Sequence, residues 1–329
     1  MKTRKLRQSN LEVSVIGLGG NIFGCFADEN ETKRLISQAK EKGINFIDTA
    51  DVYSDGLSEE YIGKAISGDR GYWKVATKVG IHSGESPSGL GRSSKIISAC
   101  EASLVRLRTD YIDLYQIHNF DRDTPLEETL SAFNKLKKQG KILNFGVSNY
   151  FVDEIEELSK SIKAFPELKC VSLQIPYNAL RRDAEIDIIP YCMHLGIDVL
   201  PYNVLARGVL SGKYAITTQV PNGSRAAFST SVRQSLRPKV LESVGKIKAI
   251  AEEQNRSLSQ IILAWTLQRP GIAVLLVGIR NADQLNDNAA AGDIKLTEED
   301  LYRIDEYVGV LDDYVDYPLI SHIPKCENS

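Results

Sequence analysis

The chain is poor in the groups that hold metals and cross-links. Its 329 residues include four histidines and five cysteines, and none of Cys25, Cys100, Cys170, Cys192 or Cys326 falls in a C-x-x-C spacing. That excludes a disulfide framework and a zinc knuckle; free, mostly buried thiols and no metal site are expected. Charge of one sign is missing as well, since 40 Lys and Arg face 43 Asp and Glu for a formal net charge of −3. Nothing then favours nucleic acid or an anionic membrane surface as a partner. No apolar run approaches the roughly 18 residues of a membrane span. The basic start MKTRKLRQSN leads into no signal-type apolar stretch, so a cytoplasmic location is expected. Without a secretory signal, the N-x-[ST] triplets at Asn30, Asn222 and Asn255 are chance matches.

What is present is a repeated alternation. Runs rich in Val, Ile and Tyr occur at VSVIGLG (13–19), INFIDT (44–49), KVATKV (74–79), YIDLYQI (111–117), ILNFGVS (142–148), VSLQIP (171–176), IDVLPY (197–202) and IAVLLVG (272–278). Between them lie segments with helical spacing, such as Ile96, Cys100, Leu104, Leu107 and Phe151, Ile155, Leu158, Ile162. Thr124-Pro125-Leu126-Glu127 and Ser257 to Gln260 carry helix-start signals. Strands that read as continuous apolar runs suit a parallel sheet covered on both faces. Eight such units predict one α/β domain over 1–329, a (β/α)8 TIM barrel with a C-terminal helix and a tail at 312–329.

An open doubly wound sheet shares this pattern, but its fingerprint is absent. Gly17-Leu18-Gly19-Gly20-Asn21-Ile22 ends in isoleucine where glycine is required, and Gly208 to Lys213 has the wrong spacing for a phosphate loop. The stretch 206–238, rich in Gly, Ser, Pro and Asn, reads as one long loop after the seventh strand. It is either a flap over a ligand or a plain insertion.

In such a barrel chemistry gathers where the strands end, at their C-terminal rim. Asp48 closes the second strand, Lys78 the third, His118 the fourth, Ser148 and Asn149 the fifth, Gln174 the sixth, Tyr202 the seventh and Gly278 the eighth; Tyr53 follows Asp48 by five residues. A phenol trades protons poorly near neutrality unless a cation favours the phenolate. Lys78 would supply that cation, Asp48 would hold the lysine, and His118 would orient or polarise a carbonyl oxygen. Taken alone, an Asp48–Lys78 pair reads as a structural ion pair.

The flanking text resolves that choice. GINFIDTADVYSDGLSEEYIGKAI, ATKVG, TDYIDLYQIH, GKILNFGVSN, PYNVLARGVLSGKY and VGIRNADQLNDN follow one another in order, and the chain resembles the aldo-keto reductases over nearly its whole length. The resemblance implies hydride transfer between a nicotinamide cofactor and an aldehyde, ketone or sugar, with Tyr53 as general acid or base beside Asp48, Lys78 and His118. It implies that Ser148, Asn149 and Gln174 hold the carboxamide, that Tyr202 stacks on the nicotinamide, and that Asn203, Leu205, Arg207, Lys213 and Arg225 line the pyrophosphate. Gly278, Arg280, Gln284 and Asn288 fall at the adenosine end. There Asn281 would cap a helix with Gln284 at its third position.

Many family members carry Lys and Arg where this chain has Gly278 and Gln284, so Arg280 is the strong cation of that turn. NADPH (NADP+) is favoured, with NADH as the alternative. Phe23, Phe26, Phe120, Tyr314 and Tyr317 are candidates for the wall of an apolar substrate pocket or for ordinary packing. His82, His194 and His322 read as surface or packing residues. Potassium-channel β subunits resemble the same family, which leaves a nicotinamide-binding regulatory module as a second reading; a barrel hydrolase is a third, on fold analogy alone. The sequence indicates no oligomeric state.

Overall fold

The computed structural model describes residues 1–81, 89–214, 220–222 and 224–309. The chain opens with an antiparallel hairpin, β1 (Thr3–Lys5) and β2 (Glu12–Ser14). Eight parallel strands follow: β3 (Ile16–Gly19), β4 (Phe46–Asp48), β5 (Lys74–Val79), β6 (Ile112–Ile117), β7 (Ile142–Ser148), β8 (Cys170–Pro176), β9 (Asp198–Tyr202) and β10 (Leu275–Val277). They pair in the order β10-β3-β4-β5-β6-β7-β8-β9. The ring closes where the Val199 amide donates to the Gly271 carbonyl at 2.9 Å and the Ala273 amide to the Val199 carbonyl at 2.9 Å. This is the expected (β/α)8 barrel.

The crossovers are α1 (Glu29–Glu41), α2 (Leu57–Ile66), α3 (Ser93–Leu107), α4 (Leu126–Lys138), α5 (Val152–Ser161) and α6 (Ile188–Leu195). Between β9 and β10 run α7 (Arg225–Phe228), α8 (Thr230–Ser235), α9 (Pro238–Glu253) and α10 (Leu258–Leu267); α11 (Ala282–Ala290) and α12 (Glu298–Val308) follow β10. No helix among the described residues is long and apolar enough to cross a membrane.

The barrel interior is layered, and the layering explains why the rim is polar. Phe46, Ala76, Leu114, Val171, Leu200, Val274 and Leu276 form one apolar cluster, which Leu6, Leu11 and Val13 of the hairpin region join. Because strand side chains alternate, the next inward position on each strand lies two residues on. Asp48 thus follows Phe46, Lys78 follows Ala76 and Gln116 follows Leu114.

Three expectations need correction. The run 13–19 is not one strand: it breaks at Val15, where the Ser14 hydroxyl turns back to the Ile16 carbonyl at 2.7 Å and the Ser14 amide donates to Asn45 Oδ1 at 2.7 Å. The stretch 206–238 is not structureless. Its described part holds a tight helical turn at Ala206–Ser211 and the short helices α7 and α8, whose four and six residues are too few to leave a periodic signal. Thr124 does not cap α4; its hydroxyl donates to Asp121 Oδ2 at 2.7 Å. The Ser257 and Asn281 caps form as expected, accepting from the Gln260 and Gln284 amides. Of the described cysteines, Cys100, Cys170 and Cys192 are buried, and none of the four is in a disulfide.

Candidate active site

The site is assembled around a lysine with no water contact. Lys78 is 0 % exposed, and its ammonium donates to Asp48 Oδ2 at 2.7 Å, to the Thr49 carbonyl at 2.7 Å and to Tyr53 Oη at 3.4 Å. Those partners use its three hydrogens. The second oxygen of Asp48 accepts from two side-chain amides, Gln174 Nε2 at 2.8 Å and Gln116 Nε2 at 3.2 Å. Both carboxylate oxygens and all three ammonium hydrogens are therefore engaged, the condition under which a buried pair is tolerated.

Tyr53 reaches this pair from a strained turn. Ser54 and Asp55 both adopt left-handed backbone at φ 51° and 53°, and the Ser54 hydroxyl pins the turn to the Phe23 carbonyl at 2.9 Å. The turn ends at Gly56 with φ 90°, where a Cβ would come within 2.9 Å of the Arg106 side chain. Tyr53 Oη accepts from Lys78, and its own hydrogen has no acceptor among the described residues. It is left to donate outward. The His118 ring stands edge-on to the Tyr53 ring, centroids 6.0 Å apart at 79°, and His118 Nδ1 is buried without a partner among the described residues.

Burial decides the proton affinities. Loss of water raises the Tyr53 phenol above its ordinary value, an effect the Lys78 charge reduces but does not reverse. This corrects the expectation that Lys78 would favour the phenolate outright: the phenol stays protonated at neutral pH. Burial pulls Lys78 down, but Asp48 and Tyr53 outweigh it and the net direction is up. Burial, then the Lys78 charge, push His118 well below the usual histidine range, so its imidazole is neutral.

The other rim residues fall around this group. The Ser148 hydroxyl donates to the Gln174 carbonyl at 3.0 Å. Asn149, left-handed at φ 60°, spends its amide hydrogens on the His118 carbonyl and Asn119 Oδ1, both at 3.0 Å, and accepts from the Tyr202 hydroxyl at 2.8 Å. That last bond fixes the Tyr202 ring at the mouth. Asn203 is left-handed at φ 55° and its carbonyl accepts from Asn178 Nδ2 at 3.1 Å. Leu205 is half-buried and leads into the Ala206–Ser211 turn, where Ala206 and Arg207 are both left-handed.

A second group is cationic. Burial and repulsion from Arg280 and Arg207 lower Arg225 to about 10. Arg225 thus feels the charge of two other guanidiniums, a repulsion that a bound anion would relieve, and this fits a phosphorylated dinucleotide. Arg280 Cζ lies 4.2 Å from the Phe26 ring centroid and 6.0 Å from that of Phe228, and the two rings stack at 6.4 Å. The clasp joins the loop after β3 to the segment after β9. Lys213 is exposed, its ammonium 5.3 Å from the Tyr214 ring centroid. Gly278 is exposed, and among the described residues a Cβ there would meet only Asn21 and Ile22, at 3.7 Å. Gln284 Oε1 accepts from the Arg280 amide at 2.9 Å, while Asn288 is buried.

Phe120 packs edge-on against Tyr150, and Phe23 is buried. Tyr314 and Tyr317, His82 and His322, and the tail 312–329 lie outside the described residues. Sequence reasoning missed Gln116, Asn119 and Thr49. Gln116 carries a usable signal, a polar residue two positions before His118 on the inward face of β6.

Comparison with known proteins bears on the family and the fold. The model of the Aldo/keto reductase family matches residues 15–308. A candidate voltage-gated potassium channel subunit beta of Schizosaccharomyces pombe is 36% identical over 318 residues, 92% of this chain and 92% of that protein. Versiconal hemiacetal acetate reductase of Aspergillus parasiticus is 30% identical over 333 residues, 93% of this chain and 96% of that one. Among solved structures, the glycerol dehydrogenase of Gluconobacter oxydans superposes with TM-score 0.81 at 30% identity, covering 96% of this chain and 97% of its own. A holo-form aldo-keto reductase of Bacillus halodurans does so with TM-score 0.74 at 31% identity, covering 94% and 97%. The chain belongs to the aldo/keto reductase family.

Proposed function

We propose that the protein is a cytoplasmic, NADPH-dependent carbonyl reductase acting on a small aldehyde, ketone or sugar. The observation that carries this reading is the phenol of Tyr53, held by Lys78 with its own hydrogen unspent at the barrel mouth. A reduced nicotinamide, once held at this rim, would supply the hydride for the carbonyl carbon. As the carbonyl π electrons move onto oxygen, Tyr53 Oη gives that oxygen its proton, and Lys78 steadies the phenolate left behind. Asp48, fixed by Gln116 and Gln174, keeps Lys78 charged and in place. His118 is neutral, so it polarises the carbonyl through an N–H without adding a second positive charge beside Lys78.

For the dinucleotide, Ser148, Asn149 and Gln174 would face the carboxamide and Tyr202 the nicotinamide ring. Asn149 does so with its amide hydrogens already engaged, so its first duty is to set the Tyr202 ring. Asn203, Leu205, Arg207, Lys213 and Arg225 would follow the pyrophosphate. Gly278, Arg280, Gln284 and Asn288 would take the adenosine end, with Arg280 on the 2′-phosphate and the 206–238 segment closing over the whole. One barrel domain carries both functions.

The test is loss of NADPH absorbance with a panel of aldehydes and ketones, repeated with Tyr53→Phe. A fall of about 100-fold or more is expected, the usual worth of a positioned acid; equal rates would end the proposal. The likeness to a channel-subunit relative favours a second reading, a nicotinamide-binding partner protein. Turnover slower than minutes with retained dinucleotide, together with a stable protein partner, would select it.

A further inference from the structure

We propose that Asp51 is a positioning residue of the reaction proposed above: a carboxyl left without a partner beside Tyr53, whose ionisation shifts the pH at which Tyr53 gives up its proton. The inference rests on that reading of Tyr53.

Three carboxyl groups stand behind the phenol and two cations face them. Asp48 is paired with Lys78 at 2.7 Å, and Glu59, 0 % exposed on α2, is paired with Arg106 of α3 at 2.6 Å and accepts from Thr77 Oγ1 at 2.6 Å. Asp51 is the one left over. It has no ion pair among the described residues, and its Oδ1 is buried without a hydrogen-bond partner. Its backbone N–H donates to the Lys78 carbonyl at 3.3 Å, which ties it to β5, and only Val52 separates it from Tyr53.

The groups that act on it come from every element packed there. Glu59 on α2 opposes its ionisation, whereas Arg106 on α3, Lys78 on β5 and the Val52 amide favour it. Tyr53 lies in the same turn, and Tyr115 of β6, whose own hydroxyl is buried without a partner, lies within reach of its charge. Burial and the Glu59 charge together outweigh the two cations and lift Asp51 to about 7. Below that pH the carboxyl is neutral. Above it, a negative charge appears beside the Tyr53–Lys78 pair and holds the phenol protonated to higher pH.

The experiment uses the full chain labelled with [13C]carboxyl aspartate. Titration followed by NMR is expected to show an aspartate carboxyl losing its proton near neutrality, and Asp51→Asn is expected to abolish that signal. Asp198, also raised by burial but set against Arg7 at the start of β9, is assigned by its own Asn variant. In parallel, the alkaline rise of alcohol oxidation, where Tyr53 acts as base, should move to lower pH in Asp51→Asn. It should return in Asp51→Glu.

An unlabelled pH profile in Asp51→Asn that matches the parent's would overturn the inference. So would a parent spectrum in which every aspartate titrates in the ordinary range near about 4, a result that needs neither a folded variant nor turnover. Either outcome leaves the carbonyl-reductase reading intact, because that reading falls only if Tyr53→Phe keeps the parent's rate.

Discussion

Replacing Lys78 by methionine separates a structural ion pair from a chemical one. Methionine fills the space of the lysine stem, so the packing change is small. What is lost is the ammonium that touches Asp48, Thr49 and Tyr53. Because the two side chains are 0% and 4% exposed, the abandoned Asp48 charge cannot be repaired by water. Breaking such a pair from one side costs about 3–5 kcal/mol. At about 2.1 cal/mol/K per residue, 329 residues give an unfolding entropy near 0.7 kcal/mol/K. Lys78→Met should then lower Tm by about 4–7 °C.

The double variant Asp48→Asn/Lys78→Met should recover most of that loss, since an asparagine oxygen still accepts from Gln116 and Gln174 and no buried charge remains. Turnover with NADPH should stay abolished in both variants, because Tyr53 has lost its cation in each. Calorimetry at fixed scan rate and an NADPH absorbance assay read the two properties separately. A single variant as stable as the parent would refute the buried pair, and a double variant that regains turnover would make Lys78 purely structural.

Two further outcomes follow from other parts of the molecule. Arg280→Ala removes the guanidinium clasped by Phe26 and Phe228 and should raise the Kd for NADPH about 10- to 100-fold, the worth of a charged hydrogen bond, while NADH binding changes far less. Fluorescence titration of both dinucleotides measures this, and equal losses would move Arg280 away from the 2′-phosphate. Gly63→Ala should destabilise by about 1–3 kcal/mol, because a Cβ there would lie 2.5 Å from the Arg106 carbonyl oxygen, against backbone that cannot yield. Gly68→Ala, with nothing within 4 Å, is its control, and equal thermal stability of the two would show that α2 and α3 do not approach as described.

The parts of this fold that a reader of the sequence can find are those written locally. Strands such as 74–79 and 142–148 coincide with β5 and β7 because each is a short apolar run bounded by polar turns. Asp48, Lys78 and His118 stand out for the same reason, as polar groups ending such runs. The break at Val15 is invisible locally, since VSVIGLG (13–19) reads as one strand until Ser14 finds Asn45, 31 residues on. The support of Asp48 is more distant still: Gln116 and Gln174 lie 68 and 126 residues from it in the chain. Only barrel closure brings three strands' inward positions to one carboxylate.

The same distinction governs the chemistry. Residue types name the participants, yet the direction in which Tyr53 shifts is a contest between depth and neighbouring charge, and depth belongs to the folded barrel. Lys78 alone would favour phenolate; burial outweighs it and keeps the proton on the phenol. For carbonyl reduction that is the useful sign, because the acid must be charged with its proton when the oxygen needs it. Under the proposed function the ammonium would contribute afterwards, when the phenolate exists and its stabilisation lowers the cost of having given the proton away. A buried cation beside a protonated phenol thus acts on the later state more than on the earlier one, which is the condition for it to speed the reaction rather than merely bind.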